Sequence, residues 1–188
     1  MESKVIIGAL LLFVLTFIYY YPFPVWFLVF LLAVANGYDI FCIYCGPKLC
    51  IYKHILLVYS VFGIVVVLED YSSMNRTLLF QKILVVSLSD IVQCVSGTYY
   101  GKNLVGGPSP KKTWEGYMGA MVFALICTPI FSFSAIWVFL GILGDLFVSM
   151  CKRKIDIKDT SRLLGSHGGW LDRVDGIYMT VIVTKFFL

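Results

Sequence analysis

Carboxylates set among apolar residues, and two clusters of lysine and arginine, are the groups in this chain able to do chemistry: Asp39, Asp90, Asp145 and the pair Asp172 and Asp175. An unpaired charge near the centre of a bilayer costs about 2.5–3.5 kcal/mol even on a lenient scale, so acids in such places are candidates for function. Asp145 closes Gly141-Ile-Leu-Gly-Asp145, and helical spacing puts it on one stripe with Ser149 and Lys152, on a helix that ends Lys152-Arg153-Lys154. Asp172 and Asp175 are three apart, so they project from one face if a helix begins near Trp170. Two carboxylates that close repel unless a cation lies between them. Magnesium takes carboxylate oxygens, phosphate oxygens and water, and Asp145, Asp172 and Asp175 amid Arg153, Lys158 and Arg173 form such a set. The loop Gly165-Ser-His-Gly-Gly169 lets backbone approach a ligand closely. The chemistry indicated is metal-assisted work on a phosphate.

A second polar segment runs from Tyr100 to Gly116. Ser109 and Pro110 make a good N-cap and first-position pair, which predicts a helix starting there with Lys111 and Lys112 in its first turn. Cations are disfavoured at a helix N-terminus unless an anion sits between them and the free N–H groups. Plainer readings stand beside these: an intrahelical partner for Asp145, acids favoured at a helix start for Asp172 and Asp175, membrane anchoring for Lys111, Lys112 and Lys154, and a bracing role for His167. Asp39, beside Asn36, has no assigned role, and His54 reads as interfacial.

These residues sit in a chain of 188, of which 60% are apolar and 14% charged, with net charge +4 and mean hydropathy +0.88. That composition excludes an ordinary cytosolic globule, a disordered chain and a nucleic-acid binder. The reading is an all-α, polytopic integral membrane protein with about seven transmembrane helices, at 5–21, 25–45, 54–68, 78–98, 114–131, 133–151 and 174–188. Nine of the 15 lysines and arginines lie in 102–115 and 152–175, which an apolar hairpin separates, so both segments share one side. The positive-inside rule makes that side cytoplasmic, as in a bacterial inner membrane or its equivalent. The six cysteines read as membrane packing. Residues 1–80 carry helices without motifs, and 81–188 carry the candidate catalytic region.

Ser149-x-x-Lys-Arg153, Lys158-Asp159, His167-Gly-Gly169 and Asp172-Arg-x-Asp175 resemble the signature of the CDP-diacylglycerol synthase, or phosphatidate cytidylyltransferase, family. Ser109-Pro-Lys-Lys-Thr-Trp-Glu-Gly116, with Asp90 and Tyr99-Tyr-Gly-Lys102 ahead of it, is similar to that family's second motif. Locally, Gly165-Ser166, Gly176 and Ser96-Gly97-Thr98 depart from the family pattern. The resemblance implies a usually dimeric membrane enzyme that transfers the cytidylyl group of CTP to phosphatidate with Mg²⁺, and it leaves open a second, monovalent cation. It implies metal binding by Asp145, Asp172 and Asp175, phosphate contacts from Lys111, Lys112, Lys152, Arg153, Lys158 and Arg173, and ligand-binding positions at Ser109 and Ser149. Asp159 and His167 match the catalytic motif with roles open. Two alternatives remain: a CTP-dependent lipid kinase of the polyprenol type, and a non-catalytic ion-binding or transport protein.

Overall fold

The computed structural model of the chain describes residues 25–46, 50–73, 76–107, 109–110, 112–165 and 168–187. The expected span 5–21, Lys111 and His167 lie outside these residues. Six helices make up the described chain: α1 (Val25–Cys45), α2 (Ile51–Ser72), α3 (Arg76–Tyr100), α4 (Trp114–Cys127), α5 (Ser134–Lys154) and α6 (Leu171–Phe187). All six prolines fall outside these helices, as a ring that lacks an N–H requires. α2, α3 and α5 are long and apolar enough to cross a bilayer, and Val29–Cys45 and α4 are shorter apolar helices. Each helix coincides with one of the expected runs to within a few residues.

Sequence reading and structure differ at the start of α4. The expected helix from Ser109 is absent: the backbone N–H of Lys112 bonds the carbonyl of Ser109 at 3.1 Å, and Leu104 pairs with Thr113 in an isolated antiparallel bridge. Thr113 caps α4 instead, its hydroxyl accepting from the Gly116 N–H at 3.2 Å. Two candidate caps competed. Thr113 prevails because the stretch before it pairs with the chain leaving α3, through Val105 N–H to Lys112 O at 2.9 Å and Trp114 N–H to Asn103 O at 3.0 Å. Lys112 therefore rides on a hairpin-like loop and not on a helix.

The helices bury apolar side chains against each other and present others outward, among them Phe30 and Phe41 on α1, Val58 on α2, Ile126 on α4 and Phe139 on α5. One core cluster joins Ile43, Leu56 and Tyr59 to Val148, Leu171 and Tyr178, so α1 and α2 share packing with α5 and α6. This cluster takes in residues on both sides of residue 80. α5 and α6 cross at glycine. A Cβ on Gly176 would meet the Gly141 carbonyl oxygen at 2.9 Å, and one on Gly144 would meet the Asp175 carbonyl oxygen at 2.6 Å. Small residues let the two backbones touch, the usual way helices pack in lipid.

Candidate active site

That glycine crossing brings together the carboxylates next to it in sequence, Asp145 on α5 and Asp175 on α6. Asp145 lies near the middle of α5 and Asp175 in the second turn of α6. Lys112, half-buried on its loop, pairs with Asp145 through Nζ and Oδ2. Its ammonium lies 5.6 Å from the Tyr117 ring centre and within electrostatic reach of Asp90, Asp175 and Lys152. Burial pushes the Lys112 ammonium below the usual lysine range, against the opposing pull of Asp90 and Asp175. Asp90, on α3, is exposed and within electrostatic reach of Lys112 and Arg173. Close to it, the side chains of Gln93 and Tyr117 are buried together.

Lys152 and Asp172 form the second ion pair, at 2.6 Å, with both side chains over nine-tenths buried. Asp172 sits in the first turn of α6, as the three-residue spacing to Asp175 required. Its other oxygen accepts from the backbone N–H groups of Thr160 and Gly169, each at 2.9 Å. Both Asp172 oxygens are thus occupied by donors of this chain. Asp175 is buried, its Oδ1 accepting from the Gly176 N–H at 2.8 Å. Gly168 has φ +85°, and a Cβ there would lie 2.7 Å from Asp172 Oδ2. That position favours glycine on both counts, which gives the Gly-Gly pair its physical reason.

Not every expected residue joins this cluster. Ser149 is buried on the same helix as Asp145 and Lys152. Arg153 is exposed and donates to the Ile157 carbonyl at 3.1 Å. Lys158 and Asp159 are exposed, Asp159 lying against Gly168, whereas Arg173, also exposed, lies within electrostatic reach of Asp90. Ser109 is half-buried in the turn before Lys112. The sequence reading left two participants without a role, Asp90 and Asp39. The signal for both was an acid within an apolar run; what it lacked was any local indication of a partner.

Carboxylates are hard oxygen donors, and magnesium uses one or two of them together with substrate phosphates and water. Among the described residues no three His, Cys, Asp or Glu side chains form a ready metal cage. Asp90, Asp145 and Asp175 share Lys112 as a neighbour, a sparser set of oxygen donors. The cluster also offers two lysine ammonium groups, Lys112 beside Asp145 and Lys152 beside Asp172, and such groups can hold phosphates and offset their charge.

A profile described as the cytidylyltransferase family matches residues 3–188. The phosphatidate cytidylyltransferase of Mycobacterium bovis is 36% identical over 123 residues, 58% of this chain and 40% of its own length. That of Haemophilus influenzae is 33% identical over 129 residues, 58% of this chain and 45% of its own. That of Rickettsia conorii is 31% identical over 130 residues, 58% of this chain and 56% of its own. The matched region is less than two thirds of each relative's length. Since the profile takes in almost every residue, the chain belongs to the cytidylyltransferase family.

Proposed function

We propose that the chain catalyses cytidylyl transfer from CTP to phosphatidate. A phosphate oxygen of phosphatidate attacks the α-phosphorus of CTP, the bond from that phosphorus to the oxygen bridging toward the β-phosphate breaks, and CDP-diacylglycerol and pyrophosphate result. The observation that carries this reading is the placement of Lys112 and Lys152 with Asp90, Asp145, Asp172 and Asp175 at one end of an apolar bundle. A phosphomonoester is already anionic at neutral pH, so it attacks without a protein base. What the residues must do is hold two anions in line and stabilise the charge on the departing pyrophosphate. Lys112 and Lys152 would do that, and Lys111, Arg153, Lys158 and Arg173, with Ser109 and Ser149, are further candidates for phosphate contacts. Asp159 and His167 match the family motif and are candidates with open roles.

Asp145, Asp172 and Asp175 are the magnesium ligands in this reading. Asp172 would exchange a present donor for the metal, whereas Asp90, Asp145 and Asp175 have fewer donors to displace. A bound magnesium ion supplies charge stabilisation to the phosphoryl oxygens. A monovalent cation is a second candidate for the same carboxylates. The bundle would cross the membrane seven times, 5–21 included, with the catalytic end cytoplasmic. CTP would then arrive from solution, the lipid would enter sideways from the bilayer, and two copies would form a homodimer. In this scheme residues 81–188 carry the chemistry and 1–80 support it.

The test uses purified protein in detergent with phosphatidate, Mg²⁺ and CTP labelled at the α-phosphate. Label entering the organic phase only with lipid and metal, and not with EDTA, is the expected result. Transfer of a γ-label to a lipid alcohol would replace this reading with a kinase.

A further inference from the structure

The geometry points to Asp39 as a positioning residue for the catalytic loop, acting through Thr160 and Asp172 on Lys152. Asp39 lies on α1, in the half of the chain without motifs, and is fully buried. Its Oδ1 accepts from the Ser161 hydroxyl at 2.6 Å, and its Oδ2 from the Thr160 hydroxyl at 2.9 Å and the Leu171 N–H at 2.7 Å. Leu171 opens α6, so Asp39 satisfies one of the free N–H groups of that helix from another element, where a negative charge also suits the helix dipole. One carboxylate thereby fastens both ends of the 160–171 segment.

The chain of contacts continues to the site. Thr160 also gives its backbone N–H to Asp172, which in turn holds the Lys152 ammonium. Gly169 permits this proximity, because a Cβ there would reach Asp39 Oδ1 at 2.8 Å. Ionised, hydrogen-bonded acceptors of this kind hold their donors about twice as strongly as neutral ones. Displacing Lys152 by about 1 Å is enough to cost about 10²-fold in turnover.

The inference rests on the activity proposed above, so its test has an arm that does not. Asp39→Asn keeps the shape of the side chain and removes its charge. Hydrogen exchange of the purified full chain, read by mass spectrometry, should show faster exchange in the peptides covering 158–171, with α3 and α4 unchanged. In the cytidylyl-transfer assay, kcat should fall about 10²-fold with little change in the KM for CTP. Thr160→Val should show the same loss, and the double variant no further one, because both substitutions cut a single chain of contacts. Asp39→Asn with unchanged exchange in 158–171, or with losses that multiply those of Thr160→Val, overturns the inference. A wild-type protein without transferase activity overturns the proposed function instead, and leaves the exchange result to decide on Asp39.

Discussion

Substituting Gly144 by alanine should cost far more activity than stability. A Cβ at Gly144 would lie 2.6 Å from the Asp175 carbonyl oxygen, 2.7 Å from the Met179 Cβ and 3.0 Å from the Gly176 Cα. The nearest of these is backbone, which cannot rotate aside. Restoring a contact of 3.4 Å requires α5 and α6 to part by about 0.8 Å at the crossing. Overpacking of this size costs about 1–3 kcal/mol. Alanine recovers about 0.5–1 kcal/mol of helix propensity over glycine, leaving a net loss of about 0–2.5 kcal/mol. The same displacement separates Asp145 from Asp175, and near 1 Å that is worth about 10²-fold in rate. The assay pairs cytidylyl transfer with the thermal midpoint in detergent. Gly37→Ala on α1, where nothing lies within 4 Å of the added Cβ, is the control and should retain both activity and midpoint. Wild-type turnover in Gly144→Ala would refute the claim that the glycine crossing sets the carboxylate geometry.

Asp172→Asn breaks the 2.6 Å pair with Lys152, and turnover should fall by about 10²-fold or more while the protein still inserts and purifies; activity like the wild type would remove Asp172 from the site. The Lys112 ammonium lies below the usual lysine range because of its burial, so kcat/KM should hold at neutral pH and fall as pH rises through that lowered value. Lys112→Arg, which keeps its charge, should move the alkaline fall upward, and an unmoved fall would assign it to another group. At the opposite end of the bundle Asp70 is buried between Lys185 at 3.1 Å and Lys82 at 3.8 Å. Asp70→Asn leaves Lys82 buried without a counter-ion and should destabilise the protein by about 3–5 kcal/mol, read as a lowered midpoint with kcat per folded molecule unchanged.

The helices were legible because continuous apolar runs bounded by proline, glycine and charge carry their own limits, and the structure moves most of those limits by only a few residues. The spacing of Asp172 and Asp175, and the stripe of Asp145, Ser149 and Lys152, follow from helical geometry alone. The start of α4 was not legible, since Ser109 and Thr113 are both sound caps and the choice depends on pairing with the strand-like stretch after Tyr100. Asp39 could be flagged as an intramembrane acid, but its partners lie 121 to 132 residues away, and no local pattern announces them. The network of Asp70, Lys82 and Lys185 escaped the sequence reading for the same reason: its members come from three helices.

α1 and α2 also hold α6 in place. Tyr59 on α2 donates its hydroxyl to the Asp175 carbonyl at 2.5 Å, fixing the backbone that carries the acid. One turn further along α6, the Tyr178 hydroxyl accepts from Asn36 on α1 at 3.0 Å, and Asn36 accepts from Ser60 on α2 at 2.8 Å. Gly63 makes room for that tyrosine, since a Cβ there would lie 2.5 Å from the ring. These polar groups are buried in an apolar bundle, where leaving one unpaired costs about 1–3 kcal/mol, so a shift of α6 against α1 and α2 would break several contacts together. α6 therefore meets two constraints at one level. Glycines hold it against α5 on one side, and hydrogen bonds hold it against α1 and α2 on the other. Asp175 sits where they coincide, its side chain toward the cleft of Lys112 and its carbonyl toward Tyr59. Contacts from α1 and α2 thus fix the backbone of α6 at the level of Asp175.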